Sequence, residues 1–282
     1  MKKDLIQFIT EKYTSMTDSE KRLADYVIQH SDSVLTASVQ TLAAETNLSV
    51  ATIVRFAQHL GFDGYKEFRL YLAQSGGEHE DFILDFQKSE HLPEAQISKM
   101  LASCGECLKL TQKNLDYTAL SIVVNAVHNA AKIAFFGAGT SYIVCQDVAA
   151  KFSRVGIPTN CACEPNAASA ILLNMKKGDV VFGISHSGNN TVVEKILKAA
   201  QSAGITTVAI TTFQNSNICA AADHVLYTQT RESPLHKIAI TSRVSQFAMT
   251  DSLFMAYFTT HYDRCMDSIE RLYEIREQVN AN

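Results

Sequence analysis

From Lys132 onward, short β-rich runs alternate with helix-length stretches, and no other feature of the 282 residues constrains the fold as tightly. The runs are 132–136, 159–162, 179–184, 206–211 and 224–227, separated by stretches at 141–154, 166–174, 191–203 and 216–221. The runs are nearly continuous in apolar residues, as in strands buried on both faces. Strand and helix in strict succession predict an α/β fold, a doubly wound parallel sheet covered by helices on both sides. Ahead of the sheet, one helix carries Met100, Leu101, Cys104, Leu108 and Thr111 on a single face, and a second covers about 119–130. After Ile240 the chain reads as helix again, rich in Phe247, Met249, Leu253, Phe254, Met255 and Phe258. So much apolar surface on terminal helices is core or a subunit interface rather than a cofactor site; the interface reading is favoured, hence a homodimer or higher homo-oligomer.

Residues 1–75 show only the 3.6-residue period of helices. Thr17-x-x-Glu20 is a capping box opening a helix whose Leu23, Ala24, Val27 and Ile28 share a face. Ser38 caps a short helix with Leu42 and Ala43, and Thr46-Asn47-Leu48-Ser49 then makes a tight turn in which Asn47 tolerates the left-handed conformation. Ser49 caps a third helix that buries Ile53, Phe56, Ala57 and Leu60 and ends at Gly61. Ala51, Arg55 and Gln58 point the other way, flanked by Thr52 and His59. A short support helix, a tight turn and a helix with one hydrogen-bonding face suit insertion into the major groove of DNA. The candidate DNA contacts are Ser49, Ala51, Thr52, Arg55, Gln58 and His59. Any small three-helix bundle shows such faces, and charge does not decide: this region carries eight basic against nine acidic side chains.

Ser75-Gly76-Gly77 and the acidic stretch to about Pro93, with a short amphipathic piece at 82–86, read as a linker. The organisation predicted is a helix-turn-helix domain over 1–76, a linker over 77–95 and an α/β domain over 96–282.

The first strand runs into Gly137-Ala138-Gly139-Thr140-Ser141 at the start of a helix. Glycines let backbone N–H groups converge on an anion, and the helix N-terminus adds its positive dipole end. A dinucleotide site is the rival, but Tyr142 replaces the third glycine of its fingerprint, while Glu164 could stand as the ribose acid. A second apolar run ends in Ser185-His186-Ser187-Gly188-Asn189-Asn190-Thr191, which again enters a helix. Hydroxyls and amides gathered there form a second candidate anion loop, although Ser and Asn also cap helices everywhere.

Composition narrows the rest. With 46% hydrophobic and 19% charged residues the chain has ordinary globular composition. No run approaches the ~18 apolar residues a membrane span needs, and the start lacks a signal-peptide pattern, so a cytoplasmic protein with no membrane partner is expected. The seven cysteines are scattered, and Cys104-x-x-Cys107 has no second pair to complete a tetrahedral site. Reduced cysteines, no metal and no cofactor are expected.

The segment from Leu42-Ala43 through Asn47-Leu48-Ser49-Val50-Ala51-Thr52-Ile53-Val54-Arg55-Phe56 to Leu60-Gly61-Phe62-Asp63-Gly64-Tyr65-Lys66-Glu67-Phe68-Arg69 resembles the N-terminal domain of the RpiR family of transcriptional regulators, without a gap. Gly137-x-Gly139-x-Ser141 and Ser185-His186-Ser187-Gly188 resemble the SIS (sugar isomerase) domain over about residues 100–260, with Ser242-Arg243, Gln246 and Asp251-x-Leu253 as these regulators show. The resemblance implies that Ser141, Ser185, Ser187 and the hydroxyl after Ser-Gly-x hold a sugar's phosphate. Here that last position is Asn190, with Thr191 one residue later, and Glu232 lies near where sugar-isomerising relatives carry a carboxylate. The function implied is control of sugar-metabolism genes, with a double-stranded operator, an inverted repeat, and a phosphorylated sugar or amino sugar as partners. The alternative is a sugar-phosphate isomerase, for which His186, His236, Lys237 and Glu232 are candidates without a spacing that makes them a team.

Overall fold

A computed structural model describes residues 9, 12–13, 15–29, 34, 37–75, 93–212, 216–230 and 240–281. These fall into two compact units that divide between Ser103 and Cys104. The amphipathic piece expected at 82–86, and Glu232, His236 and Lys237, lie outside the described residues.

The first unit is helical: α1 (Asp18–Gln29), α2 (Val39–Thr46), α3 (Val50–His59) and α4 (Tyr65–Ser75). Leu23, Ala24 and Val27 of α1, Leu42 of α2, Ile53, Phe56 and Ala57 of α3 and Phe68 of α4 meet in one core. Phe68 anchors it, standing edge-on to Phe56 at 5.7 Å and to Phe62 at 5.5 Å. The Ser38 and Ser49 hydroxyls accept hydrogen bonds from Thr41 N–H and Thr52 N–H. Asn47 takes φ 53, ψ 42, which turns the chain between α2 and α3 as its short polar side chain allows. Gly61, at φ +97, ends the third helix in the left-handed region.

Helix α5 (Glu94–Lys113) runs through the division between the units, and α6 (Tyr117–Asn129) follows it. The second unit then continues β1 (Ile133–Gly137), α7 (Thr140–Arg154), β2 (Thr159–Ala162), α8 (Pro165–Leu173), β3 (Val180–Ile184), α9 (Thr191–Ser202), β4 (Thr206–Thr211), α10 (Asn217–Ala220), β5 (His224–Tyr227), α11 (Thr241–Thr260) and α12 (Tyr262–Asn280). The final apolar stretch is thus two helices, broken at His261.

The five strands are all parallel, in the order β2-β1-β3-β4-β5. Alternate strand residues enter different cores. Ile133, Phe135, Val180, Phe182, Val208 and Ile210 pack under α6, α7 and α11. Ala134, Phe136, Val181 and Ala209 pack on the other side with Val193, Leu197 and Ala200 of α9. Both faces of β1, β3 and β4 are covered, so these strands need no polar alternation, whereas the edge strands β2 and β5 are only partly buried. Each fully buried Val, Ile or Phe contributes roughly 1.5–3 kcal/mol. The order reverses between β1 and β3: the chain leaves β1 toward β2 on one side and later returns to β3 on the other. In open α/β sheets ligands sit outside the strands' carboxyl ends at such a reversal.

Candidate functional site

Both glycine-serine loops leave the sheet at this reversal. Gly137 pairs with Ile184, so Ala138 and Ser185 continue side by side from adjacent strands. At Gly137 a Cβ would come within 2.9 Å of Cys145 Sγ and 3.2 Å of the Ile184 carbonyl oxygen, so only glycine lets the β1 turn pack this closely. Gly139 has φ 56 and ψ −129 at the head of α7, where no side chain caps the helix. The N-terminal end of α7 is thereby left without the hydroxyl or carboxamide that closes most helices.

Ser141, in the first turn of α7, is buried. Its hydroxyl oxygen accepts a hydrogen bond from Gln246 Nε2 of α11 at 3.1 Å. With that lone pair engaged, the hydroxyl proton is directed elsewhere, ready for an incoming acceptor. Ser185 is buried at the end of β3 and its N–H donates to the Ile210 carbonyl, while Ser187 is exposed. Gly188 turns the loop with φ +66, and a Cβ there would lie 2.2 Å from Ser216 Cβ and Oγ, so the position admits glycine alone. Asn190 is the cap of α9: its carboxamide oxygen accepts from Val192 N–H and Val193 N–H at 3.1 and 3.0 Å. Only its NH2 group is left to face a ligand. Thr191 is the exposed first residue of that helix.

Gln246 and a threonine relay were not among the site residues expected from sequence. His186 Nδ1 lies 3.1 Å from Thr212 Oγ1, which lies 3.0 Å from Thr228 Oγ1, and Thr211 Oγ1 donates to the His186 carbonyl oxygen. This relay crosses the carboxyl ends of β3, β4 and β5 and holds the His186 ring in place. Its members are far apart in the chain, and the only sequence signal for them is that each follows a strand.

Glu164 stands beyond the end of β2, beside β1, where a dinucleotide site keeps its ribose acid, so strand order alone does not separate the two readings. Tyr142 does separate them. The Cys161 thiol of β2 donates to its hydroxyl, at 4.0 Å, and the ring occupies the place that the fingerprint reserves for glycine. Burial, reinforced by Cys161, pushes the Cys145 thiol far up, and burial likewise raises Cys161, so these two thiols stay protonated and unreactive. Among the described residues no group of three or more His, Cys, Asp or Glu could hold a metal ion. No helix among them is long and apolar enough to cross a membrane.

In the helical unit, Ala51, Arg55 and Gln58 are exposed on α3, away from the core face of Ile53, Phe56 and Ala57. Arg55 Nε donates only to the Ala51 carbonyl of its own helix, at 3.3 Å. Three other expected contacts have partners within the unit. Ser49 Oγ accepts from Thr52 N–H and lies 2.8 Å from Thr52 Oγ1. His59 Nδ1 lies 3.2 Å from Glu20 Oε1 and its Nε2 lies 3.1 Å from Ser15 Oγ, which braces α3 against α1. Burial raises the Glu20 pKa, but hydrogen bonds from Thr17 and His59 outweigh it and hold the carboxyl below its ordinary value.

Comparison with known proteins agrees with this geometry. The family model "Helix-turn-helix domain, rpiR family" matches residues 3–78, and the SIS domain model matches 126–256. An HTH-type transcriptional regulator of Caldanaerobacter subterraneus is 30% identical over 279 residues, covering 99% of each chain. Among solved structures, Vibrio vulnificus NanR, complexed with ManNAc-6P, superimposes with a TM-score of 0.61 at 24% identity, covering 95% of this chain and 97% of that one. Phosphoheptose isomerase GmhA from Neisseria gonorrhoeae has a TM-score of 0.51 at 18% identity, over 60% of this chain and all of its own. These two likenesses establish the fold. The match to the regulator along its whole length, with the rpiR-type helix-turn-helix followed by a SIS domain, establishes that this chain belongs to the rpiR family of HTH-type transcriptional regulators.

Proposed function

We propose that the chain binds an operator through α3 and responds to a phosphorylated sugar or amino sugar held at the β1/β3 reversal. The observation that carries the ligand reading is the open N-terminus of α7, headed by Gly139 without a cap, together with the Ser141 hydroxyl oriented by buried Gln246. A phosphate fits this end: the helix dipole favours a dianion, and Ser141, Ser185 and Ser187 offer hydroxyls to its oxygens. Asn190 contributes at most its NH2 group and Thr191 its exposed hydroxyl, with Gly137, Gly139 and Gly188 shaping the loops. Glu232 is kept as a contact to the sugar. NanR, with its bound ManNAc-6P, supports a ligand of this class.

On the DNA side, Arg55, Ala51, Thr52 and Gln58 form the reading surface, with Ser49 and His59 fixing the helix at its ends. The exposed apolar residues Met255 of α11 and Leu272, Tyr273, Ile275 and Val279 of α12 support a homodimer. Two copies of α3 would then meet an inverted repeat and double the contacts, offsetting the absence of a basic excess. The two tasks divide at the linker 77–95, between a DNA domain over 1–76 and a ligand domain over 96–282. No catalysis is assigned, and the protein works in the cytoplasm.

The test is a gel shift with the promoter upstream of its own gene, run against a panel of sugar phosphates and their unphosphorylated forms. A ligand-dependent change in operator binding, seen only with the phosphorylated form, is expected. Equal responses to both forms would sink the phosphate reading, and turnover of a sugar phosphate would favour the isomerase.

A further inference from the structure

The serines and backbone N–H groups of the site are neutral donors, and a phosphate brings two negative charges. Helix α11, which meets Ser141 through Gln246, carries a cation at Arg243. Three contacts fix how α11 lies on α7: Gln246 meets Ser141, Asp251 meets Lys151, and Phe254 stacks edge-on against Phe152 at 5.4 Å. Each step forward on α11 meets a later residue of α7, so the two helices run in the same direction. Arg243 lies three residues before Gln246, about 4.5 Å along the axis. Its backbone is therefore displaced from Gln246 toward the N-terminal end of α7. It also shares the flank of Phe247 and Phe254, which faces α7, opposite the flank of Ser245, whose hydroxyl donates to the Gln229 carbonyl.

Arg243 is half-buried, and its Nε lies out of solvent without a hydrogen-bond partner. Buried donors are nearly always paired, and a guanidinium never sheds its charge to escape the cost. Among the described residues the carboxylates on this seam are already matched, because Lys151 bridges Asp147 and Asp251. An anion from outside the chain would give the Arg243 guanidinium the partner that these carboxylates do not.

Resting on the phosphosugar reading above, we infer that Arg243 is the charge-matching residue of the ligand site: its guanidinium closes on the phosphate seated at the N-terminus of α7 and makes the protein select phosphorylated over neutral sugars. Ser141 and the helix end position the phosphate, and Arg243 neutralises it. A planar guanidinium grips two phosphate oxygens at once, which a lysine ammonium cannot do.

Calorimetry on the full chain tests this with a panel of aldose and amino-sugar phosphates, ManNAc-6P included, each against its dephosphorylated form. Arg243→Gln is expected to lower affinity for the phosphorylated ligand by roughly 10–100-fold while leaving the weak binding of the dephosphorylated form unchanged. Arg243→Lys should recover part of that loss. Circular dichroism and sedimentation of both variants should match the wild type. Arg243→Gln binding the phosphorylated ligand like the wild type overturns the inference alone. So does an equal loss for both forms accompanied by a change in oligomeric state, since Arg243 would then pair with a second copy. A wild type that fails to distinguish phosphorylated from dephosphorylated ligands overturns the phosphosugar reading and Arg243's role together.

Discussion

The two units treat their helix N-termini differently. In the helical unit, α2 and α3 begin with serines whose hydroxyls close the first turn, and Thr17 and Glu20 do the same for α1. In the α/β unit, α9 is closed by Asn190, but α7 begins at Gly139 with no side-chain cap, at the sheet's reversal. A side-chain cap closes a helix N-terminus and serves packing, whereas an end without one, at the carboxyl ends of parallel strands, can take an anion. The same residue type therefore has two uses. Ser49 closes the first turn of α3, while Ser141, oriented by Gln246, is left with a proton to donate.

This contrast can be broken most severely at Gly188. Gly188→Ala adds a Cβ at positive φ against Ser216 and is expected to destabilise the α/β unit by about 3 kcal/mol. Urea unfolding of the full chain checks it, and a wild-type midpoint would mean that the loop has room to relax. Next comes the reading helix: Arg55→Ala should weaken specific operator binding by about 2 kcal/mol with no loss of stability. A gel shift with unchanged affinity would remove α3 from the recognition role. At the open helix end, Ser141→Ala should cost about 1.5 kcal/mol of phosphosugar affinity and leave operator binding by the unliganded protein intact. If titration instead shows weaker operator binding and normal ligand affinity, the open end is a packing feature.

Ser49→Ala, at a capped end, should lower stability by about 1 kcal/mol without touching ligand affinity, which sharpens the contrast with Ser141. The smallest effect belongs to Glu20. Its pKa is depressed in the folded state, so it contributes stability above the ordinary value of 4.5 and loses that contribution as pH falls through the folded-state value. Hydrogen exchange in α1 should accelerate on acidification below that ordinary value in the wild type and become less pH-dependent in Glu20→Gln. Parallel profiles for the two proteins would show that the Thr17–Glu20–His59 contacts carry no linkage.

Much of the fold was legible because its signals are local. The strand at 180–184 and the Ser38 and Ser49 caps follow from burial patterns and backbone chemistry within a few residues. The turn at Asn47 follows likewise, since few residues tolerate φ 53. The two glycine-serine loops were legible for the same reason. The contacts of His59 were not legible in this way, because its partners, Glu20 and Ser15, are 39 and 44 residues away.

The sequence by itself determined the helical and α/β parts, the parallel sheet, the caps and the loops that could cradle an anion. Each depends on the steric and hydrogen-bonding preferences of neighbouring residues. Only the tertiary structure decided which serine hydroxyl is held by a buried side chain from a distant helix and which closes its own helix. Gln246 reaches Ser141 across 105 residues, and the His186–Thr212–Thr228 relay joins three strands. Such pairings arise when the sheet order and the packing of α11 on α7 bring distant side chains together, and hydrogen bonding depends on that proximity in space.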